Sequence, residues 1–155
     1  IQQQSGDCEI HCRSVCEELH IPFHLLRVRG KARAGESPEA AARTARYRAL
    51  ADWLPTHALL ITAQHRDDQA ETLLLQLLRG AGPRGLAALP ENSALGRGRL
   101  LRPLLAISRK AIVGYAREHR LRWIEDPSNT DPRYDRNLLR QRIMPELQQH
   151  WPGLS

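Results

Sequence analysis

The hydrophobic and polar positions of residues 58–80 predict a strand, a polar corner and a helix in direct succession. The short apolar run from Ala58 to Ile61 is typical of a buried strand. Apolar residues with helical spacing follow the corner and stop before Gly80, which indicates an amphipathic helix. Ligands of open α/β sheets bind beyond the carboxyl ends of the strands, so we expect chemistry at this corner. The helix residues expected to be buried are Ala70, Leu73, Leu74, Leu77 and Leu78.

The residues before position 58 predict two helices and one further strand. After a frayed start, Asp7 is placed to cap a helix that extends to about His20. Residues 23–28 predict a strand, and a basic loop follows it. The sequence Ser-Pro-Glu at 37–39 marks the start of a second helix that should end near Leu54.

The residues after Gly80 predict shorter elements separated by loops. Glycine and proline are frequent in residues 80–99, and a loop of this length in a compact domain is often functional. The further elements, in order, are an extended run at 100–105, a helix from Arg109 to about His119 capped by Ser108, a short strand at 121–124, a turn at 125–132, and a helix from about Tyr134 to His150 kinked at Pro145.

The order of these elements predicts the fold class. Helices and strands alternate along the chain, which indicates an α/β fold with a parallel sheet. Neither of the Gly-rich phosphate-binding motifs, G-x-G-x-x-G and G-x-x-x-x-G-K-[ST], occurs in the 155 residues. If the protein binds a nucleotide, we therefore expect its phosphate loop to lie outside this chain.

The charge of the chain is positive and unevenly distributed. Its 23 basic residues exceed its 17 acidic residues by six, and only Lys31 and Lys110 are lysines. Residues 97–142 contain 12 Arg or Lys against five Asp or Glu. Arginine presents a planar fork that matches phosphate oxygens, so this region favours a polyanionic partner such as nucleic acid. A solvated arginine-rich surface is the alternative.

Three cysteines, Cys8, Cys12 and Cys16, are spaced so that they share one face of the first helix. They are expected to pack as small apolar groups against the sheet. Structural zinc usually needs cysteines two residues apart and a fourth ligand, which this pattern lacks. No disulfide framework is indicated, so a reducing, cytoplasmic compartment fits best. No apolar run approaches the roughly 20 residues that a membrane-spanning helix needs, so no such helix is expected.

Acidic residues crowd the first turn of the helix that follows the polar corner. Asp67, Asp68 and Glu71 are explained by the helix dipole, which favours anions at this end. His65 is not explained in this way. It could position a substrate, ligate a metal or act as a base, or it could be an ordinary residue of a polar turn. The spacing alone leaves these alternatives open.

A pair of arginines in the second helix is the other candidate site. Arg43 and Arg46 are three residues apart, so they share a face near Tyr47. The pair is either an exposed stripe or a clamp for an anion, and the pattern does not decide between them.

Four segments resemble the tRNA(Ile)-lysidine synthase family of the N-type ATP-pyrophosphatase superfamily, and they occur in the same order along the chain as in that family. Residues 39–47 are similar to the family's Glu-Ala-x-Ala-Arg-x-x-Arg-Tyr. Residues 62–72 read Thr-Ala-Gln-His-Arg-Asp-Asp-Gln-Ala-Glu-Thr and continue to Leu-Leu-Arg-Gly. Residues 101–109 carry Leu-Arg-Pro-Leu-Leu and then Ser-Arg. Residues 123–145 carry Trp-Ile-Glu-Asp-Pro-Ser-Asn and Tyr-Asp-Arg-Asn.

The resemblance implies a fold and a domain arrangement. We expect a Rossmann-like, parallel-sheet ATP-pyrophosphatase domain whose N-terminal strand and phosphate loop are missing. Residues 1–105 would be part of this nucleotide-binding domain, and residues 106–155 a small helical extension that completes the catalytic region. The family's Ser-Gly-Gly-x-Asp-Ser phosphate loop is absent, so we expect a fragment that is inactive alone although its parent is active.

The resemblance also implies a reaction, with ATP and Mg²⁺ as cofactors. The family adenylates C2 of the wobble cytidine in a tRNA(Ile) with a CAU anticodon, and the ε-amine of L-lysine then displaces AMP. By position in the motifs, Arg46, His65, Asp68 and Arg136 resemble catalytic residues. No metal ligand is expected within this chain. Weaker counterparts, which would bind substrate, orient the residues that do so or only hold the fold, are Arg43, Asp67, Glu71, Asp126, Asn129, Asn137 and Arg140.

Two alternatives remain open from the sequence. A related enzyme, of the tRNA 2-thiocytidine synthetase type, would carry Cys-x-x-Cys pairs, which the cysteine spacing does not supply. A non-catalytic RNA-binding module would suit the basic region but would leave His65 and Asp68 without a role. The oligomeric state is not indicated, and a homodimer is one option.

Overall fold

A computed structural model of the chain describes residues 2–30, 38–83, 85–125, 129, 131 and 134–151. The chain is an α/β protein, as predicted. Its helices and strands are α1 (Gln2–Glu18), α2 (Pro38–Trp53), β1 (Leu59–Ile61), α3 (Arg66–Leu78), β2 (Asn92–Leu95), β3 (Gly98–Leu101), α4 (Arg109–Glu118), α5 (Asp135–Leu138), a π-helical turn (Leu139–Ile143) and α6 (Met144–His150), with a 3₁₀ turn at Gly85–Ala87.

The three strands form one sheet in the order β1-β3-β2. Strands β1 and β3 are parallel: the Arg99 amide donates to the Ala58 carbonyl, and further along both strands the Thr62 amide donates to the Leu101 carbonyl, each at 3.0 Å. Strands β2 and β3 form a hairpin and are therefore antiparallel. The predicted parallel pairing is thus correct for β1 and β3, while the sheet as a whole is mixed.

The hairpin corrects the expectation of a loop through residues 80–99. Its turn contains Gly96, whose φ of +54° is accessible to glycine at little cost. A side chain at Gly96 would also meet the Ala51 carbonyl oxygen at 2.5 Å. Glycine and proline are typical of loops, and here the glycine of the turn lies only a few positions from the residues of both strands. The composition of the segment therefore indicates a loop and not two short strands.

The chain forms two compact units. The first comprises residues 1–60 with 94–100, and the second comprises residues 61–93 with 101–155. In the first unit the buried apolar residues are Ala41, Leu54 and Leu100, and in the second they are Leu89, Leu139 and Met144. The predicted boundary near residue 105 is not tested by this division and stays a prediction.

Three of the predicted helices are confirmed with their boundaries. Helix α2 begins at Pro38, as the Ser-Pro-Glu sequence indicated. Helix α3 is followed by Gly80 with a φ of +71°. Helix α4 has Ser108 as its N-cap, and the Ser108 hydroxyl accepts the Ala111 amide at 3.2 Å.

Other expectations about the elements were wrong. Helix α1 begins at Gln2, so Asp7 lies inside it and does not cap it. Residues 23–28 and 121–124, both in the described part of the chain, form no strand. A strand is defined by its pairing with a neighbour, and the apolar patterns of these segments could not show whether a neighbour was present.

Burial also differs from the sequence prediction. Leu73, Leu77 and Leu78 of α3 are exposed, as are Leu59 and Ile61 of β1. The buried residue of α3 is a charged one, Glu71, because this side of the helix is covered by arginines. Of the three cysteines, which were expected to be packed, Cys8 and Cys12 are exposed and Cys16 is half-buried.

The predicted kink at Pro145 takes the form of a π-helical turn immediately before it. Proline lacks an amide hydrogen, and its ring clashes with the carbonyl four residues earlier in a regular α-helix. The chain avoids this clash at Gln141 by a wider turn, in which the Met144 amide donates to the Leu139 carbonyl, five residues earlier.

Candidate active site

The polar corner is the N-terminus of α3, with His65 as its N-cap. The His65 amide donates to the Asp68 Oδ2 at 3.0 Å, and the Asp68 amide donates to the His65 Nδ1 at 3.4 Å. This reciprocal pair satisfies two amides that the helix itself leaves unpaired. The corner is therefore a rigid element that fixes both side chains relative to the helix axis.

The His65 ring lies between two carboxylates. Its Nδ1 is 3.7 Å from the Asp67 Oδ2, and its Nε2 is 3.5 Å from the Asp68 Oδ2. Because Nδ1 accepts the Asp68 amide, the neutral ring carries its hydrogen on Nε2. The lone pair of Nδ1 is thus used by the Asp68 amide, and Nε2 faces the Asp68 carboxylate. These contacts hold the ring in one orientation at the corner.

Asp67 connects the corner to the next helix. Its Oδ2 accepts the backbone amide of Arg109, the first residue of α4, at 2.8 Å. A carboxylate at a helix N-terminus is favoured by the unpaired amides there. The sequence indicated both helix starts but gave no signal that they meet.

Glu71, one turn after Asp68, is buried under Arg140. Its side chain is 1% exposed. The Arg140 Nε donates to Oε1 at 2.7 Å and Nη2 donates to Oε2 at 2.9 Å, a two-bond fork. The Arg140 Nη2 also lies 3.4 Å from the Asp68 Oδ1.

The ionisation of Arg140 responds to these neighbours. Burial lowers the pKa of its guanidinium, but the hydrogen bond and charge of Glu71 oppose this, with smaller contributions from Asp68 and Asp67. The net effect raises the pKa of Arg140 above its ordinary value. Arg140 is therefore a permanent cation at the centre of this cluster.

Arg136 lies against the same carboxylate from one helical turn earlier. Its Nε is 3.2 Å from the Glu71 Oε2, but this atom is buried and makes no aligned hydrogen bond. Its Nη2 donates to the Thr72 hydroxyl at 2.7 Å. Thr72 was missed by the sequence interpretation, although Asp68, Glu71 and Thr72 have the i, i+3, i+4 spacing of one polar helix face.

A polar cavity of about 180 Å³ lies beside this cluster. It is smaller than the roughly 300–1,000 Å³ typical of pockets for drug-sized ligands, so a small ligand or part of a larger one would fill it. The cavity presents charges of both signs. Its lining residues are Asp67, Glu71, Arg109, Arg140, Met144 and Gln148.

Two side-chain amides brace the second unit around the corner. The Gln64 Oε1 accepts a hydrogen bond from the Nε of the buried Arg102 at 2.9 Å, and the Arg102 Nη1 donates to the Pro90 carbonyl at 2.6 Å. Gln69 makes both bonds of a paired contact with the backbone of Leu89, at 2.8 and 2.7 Å. Sequence reasoning missed these residues because their partners are distant in the chain.

The other predicted site residues lie elsewhere or are outside the described residues. Arg43 and Arg46 are in the first unit, where the Arg43 guanidinium lies over the Tyr47 ring at 5.1 Å. Arg46 lines an apolar cavity of about 290 Å³ with Leu50 and Trp53. In the second unit Asn137 is buried and donates to the Asp131 carbonyl at 2.8 Å, Asn129 is exposed, and Asp126 falls outside the described residues.

The described part of the chain contains no group of three or more His, Cys, Asp or Glu side chains that could hold a metal ion. Among the same residues, no helix has the length and apolar character needed to cross a bilayer.

A family model described as the PP-loop domain matches residues 1–147, so the chain belongs to this family.

Curated relatives match the chain at high identity. It is 52% identical over 155 residues to the tRNA(Ile)-lysidine synthase of Methylococcus capsulatus and 58% identical over 152 residues to that of Pseudomonas aeruginosa. It is also 46% identical over 152 residues to the tRNA(Ile)-lysidine synthase of Coxiella burnetii. These matches confirm the resemblance inferred from the four sequence segments. The chain spans about a third of the length of these relatives, 34–35%.

Proposed function

We propose that the native polypeptide containing this chain is an ATP-dependent tRNA(Ile)-lysidine synthase. In the proposed reaction the C2 oxygen of the wobble cytidine attacks the α-phosphorus of ATP and releases pyrophosphate. The ε-amine of lysine then bonds to C2, AMP leaves with the oxygen, and the amine loses a proton. The observation that carries this proposal is the 52% identity to a relative of that name over the whole chain.

The corner at His65 is proposed to act on the lysine. Asp68 attracts the ammonium group, because opposite charges at close range favour the ionised form of both. The amine must lose protons before and after its attack on C2. His65, whose Nε2 lies 3.5 Å from the Asp68 Oδ2, is proposed to receive one of these protons.

The arginines are proposed to act on the adenylated base. This intermediate carries a phosphate and places negative charge on the leaving AMP. Arg136 and Arg140, which both pair with Glu71, supply fixed positive charge in the second unit. Fixed charge stabilises a charged transition state most effectively in a partly buried site. By its position in the motif, Arg46 is proposed to contact the nucleotide or the activated base, and Arg43 is a weaker candidate for substrate binding.

ATP and Mg²⁺ are required by the proposed reaction. The described residues do not fit a resident metal: Asp67, Asp68 and Glu71 are already engaged by an amide, a histidine and two arginines, and no three potential ligands converge. Asp126, Asn129 and Asn137 are proposed to orient the residues that contact substrate.

The proposed partners are tRNA(Ile) and L-lysine, in the cytoplasm. The excess of 12 basic over five acidic residues between positions 97 and 142 supports an RNA partner, because phosphates dominate the affinity of such contacts.

The proposal is tested with the native polypeptide, expressed whole. It is incubated with ATP, Mg²⁺, labelled lysine and a tRNA(Ile) transcript with a CAU anticodon, and the Methylococcus capsulatus relative serves as the positive control. We expect lysine incorporation into this transcript and not into one with a GAU anticodon. Absence of incorporation while the relative is active would refute the proposal, and sulfur transfer to a tRNA cytidine would favour the 2-thiocytidine alternative.

The substitution His65→Ala separates the enzyme from an RNA-binding module. We expect product formation to fall at least about 100-fold, the lower end for loss of a general base. Affinity for the tRNA should stay within a few-fold. If affinity and product formation fell together, the non-catalytic RNA-binding module would be supported instead.

A further inference from the structure

We propose that Glu71 is a positioning residue that orients the guanidinium groups of Arg136 and Arg140. The inference rests on the proposed function, in which Arg136 acts on the adenylated cytidine. Of the roles that the sequence motif left open for Glu71, it favours one that acts through the arginines over direct substrate contact.

The burial of Glu71 argues against direct substrate contact. Its side chain is 1% exposed, and both oxygens are engaged, Oε1 by the Arg140 Nε and Oε2 by the Arg140 Nη2. Glu71 borders the polar cavity, but both of its oxygens already accept from Arg140, so a substrate group there would have to share them with an arginine. A carboxylate in this state influences a reaction through the groups it holds.

The contacts fix the plane of each guanidinium. The two parallel bonds to Arg140 prevent rotation about the end of that side chain. One edge of Arg136 is held by a hydrogen bond from Nη2 to the Thr72 hydroxyl at 2.7 Å and by the charge of the Glu71 Oε2, which lies 3.2 Å from Nε without an aligned hydrogen bond. Since the group is planar, these two contacts also set the direction of Nη1.

The sequence spacing explains why one carboxylate can serve both arginines. Arg136 and Arg140 are four residues apart and project toward α3 from successive turns of the C-terminal helices. Glu71 lies between Asp68 and Thr72 on the facing side of α3. Loss of its charge would leave two adjacent cations that repel each other, so their orientations would change together.

The test compares Glu71→Gln with Glu71→Asp in the native polypeptide, with Glu9→Gln as the matched control. Glu9 also accepts from two arginines, Arg13 and Arg27, each at 3.1 Å, and its side chain is 24% exposed. We expect Glu71→Gln to lower kcat for lysidine formation about 10- to 100-fold, as when the partner that orients a functional group is lost. The KM for lysine should change less than about threefold, Glu71→Asp should recover part of the loss, and Glu9→Gln should behave as the wild type.

A double-mutant cycle distinguishes positioning from general stability. If Glu71 acts through Arg136, adding Glu71→Gln to Arg136→Ala should lower kcat less than about threefold further. Full multiplication of the two effects would overturn the proposal. The wild-type activity, measured in the same series, reports on the proposed function by itself.

A second measurement does not depend on activity. NMR signals of the Nε–H groups of Arg136 and Arg140 should exchange slowly with water in the wild type and rapidly in Glu71→Gln. Unchanged signals would overturn the inference even if lysidine formation were absent. If Glu71→Gln does not fold, both measurements are made on Glu71→Asp, where intermediate kcat and exchange support positioning and wild-type values contradict it.

Discussion

Two glutamates, one in each unit, each bind two arginines, and they differ in burial. Glu9 on α1 pairs with Arg13 and Arg27 at 3.1 Å, and the Arg27 side chain is 81% exposed. Glu71 on α3 is 1% exposed and makes shorter bonds, 2.7 and 2.9 Å, to Arg140. The Glu9 side chain is itself 24% exposed, so water reaches its cluster, whereas the Glu71 carboxylate is closed off from water.

The largest expected difference between the two clusters is in stability. Glu71→Ala leaves two arginines facing a buried void, and breaking such a pair by removing one partner costs about 3–5 kcal/mol. Glu9→Ala should cost less than about 1 kcal/mol, as for exposed pairs. Urea denaturation of both variants measures the difference. Equal losses would show that burial does not distinguish the clusters.

A smaller effect is expected at the two helix caps. His65→Ala and Ser108→Ala each remove a side chain that accepts an amide of the first helical turn, at 3.4 and 3.2 Å, and each should lose about 1 kcal/mol of stability. Only His65→Ala should abolish lysidine formation. The comparison fails if Ser108→Ala, at matched stability, reduces product formation to the same extent.

Salt concentration is expected to change the stability contributions of the two clusters differently, and this difference is smaller still. Raising the salt concentration from 0.1 to 1 M shortens the Debye length from about 10 to about 3 Å and screens exposed pairs. The destabilisation by Glu9→Gln should therefore shrink by a few tenths of a kcal/mol, whereas that of Glu71→Gln should stay constant. Denaturation curves at both salt concentrations, for wild type and both variants, measure this.

The smallest expected effect is that of alkaline pH on Arg140. Its pKa is raised in the folded protein, so its stabilising contribution is complete below the unfolded pKa and is lost only as the pH rises through the folded value. Both values lie above the accessible range. The stability difference between the wild type and Arg140→Gln should therefore be constant from pH 7 to pH 10, and a decline in that difference would contradict the assignment.

The sequence predicted those elements whose signals are local. The proline at the start of α2, the serine cap of α4 and the corner at His65 follow from neighbouring residues, and all lie where expected. Residues 23–28 have an apolar pattern that fits a strand, yet no strand forms there, because pairing depends on residues far away in the chain.

The candidate site shows the same limit. The acids and arginines of the second unit were identified individually by motif, but their pairing was not. Glu71 was expected near a substrate, and only its 2.7 Å bond to a residue 69 positions later reveals that it is engaged within the protein. The exposed leucines of α3 have the corresponding cause: the helix directs its charged side inward to meet partners that periodicity cannot indicate.

The π-helical turn at Leu139–Ile143 is equivalent to one residue inserted into a regular helix. Each residue of an α-helix turns the chain by about 100°, so every side chain after the insertion is rotated by that angle. Deleting one residue of this turn would restore regular geometry. It would also turn the buried Met144 and the cavity residue Gln148 away from their present positions. The π-helical turn therefore determines which side chains of the following helix are buried. We expect a change of length here to be tolerated less well than a substitution.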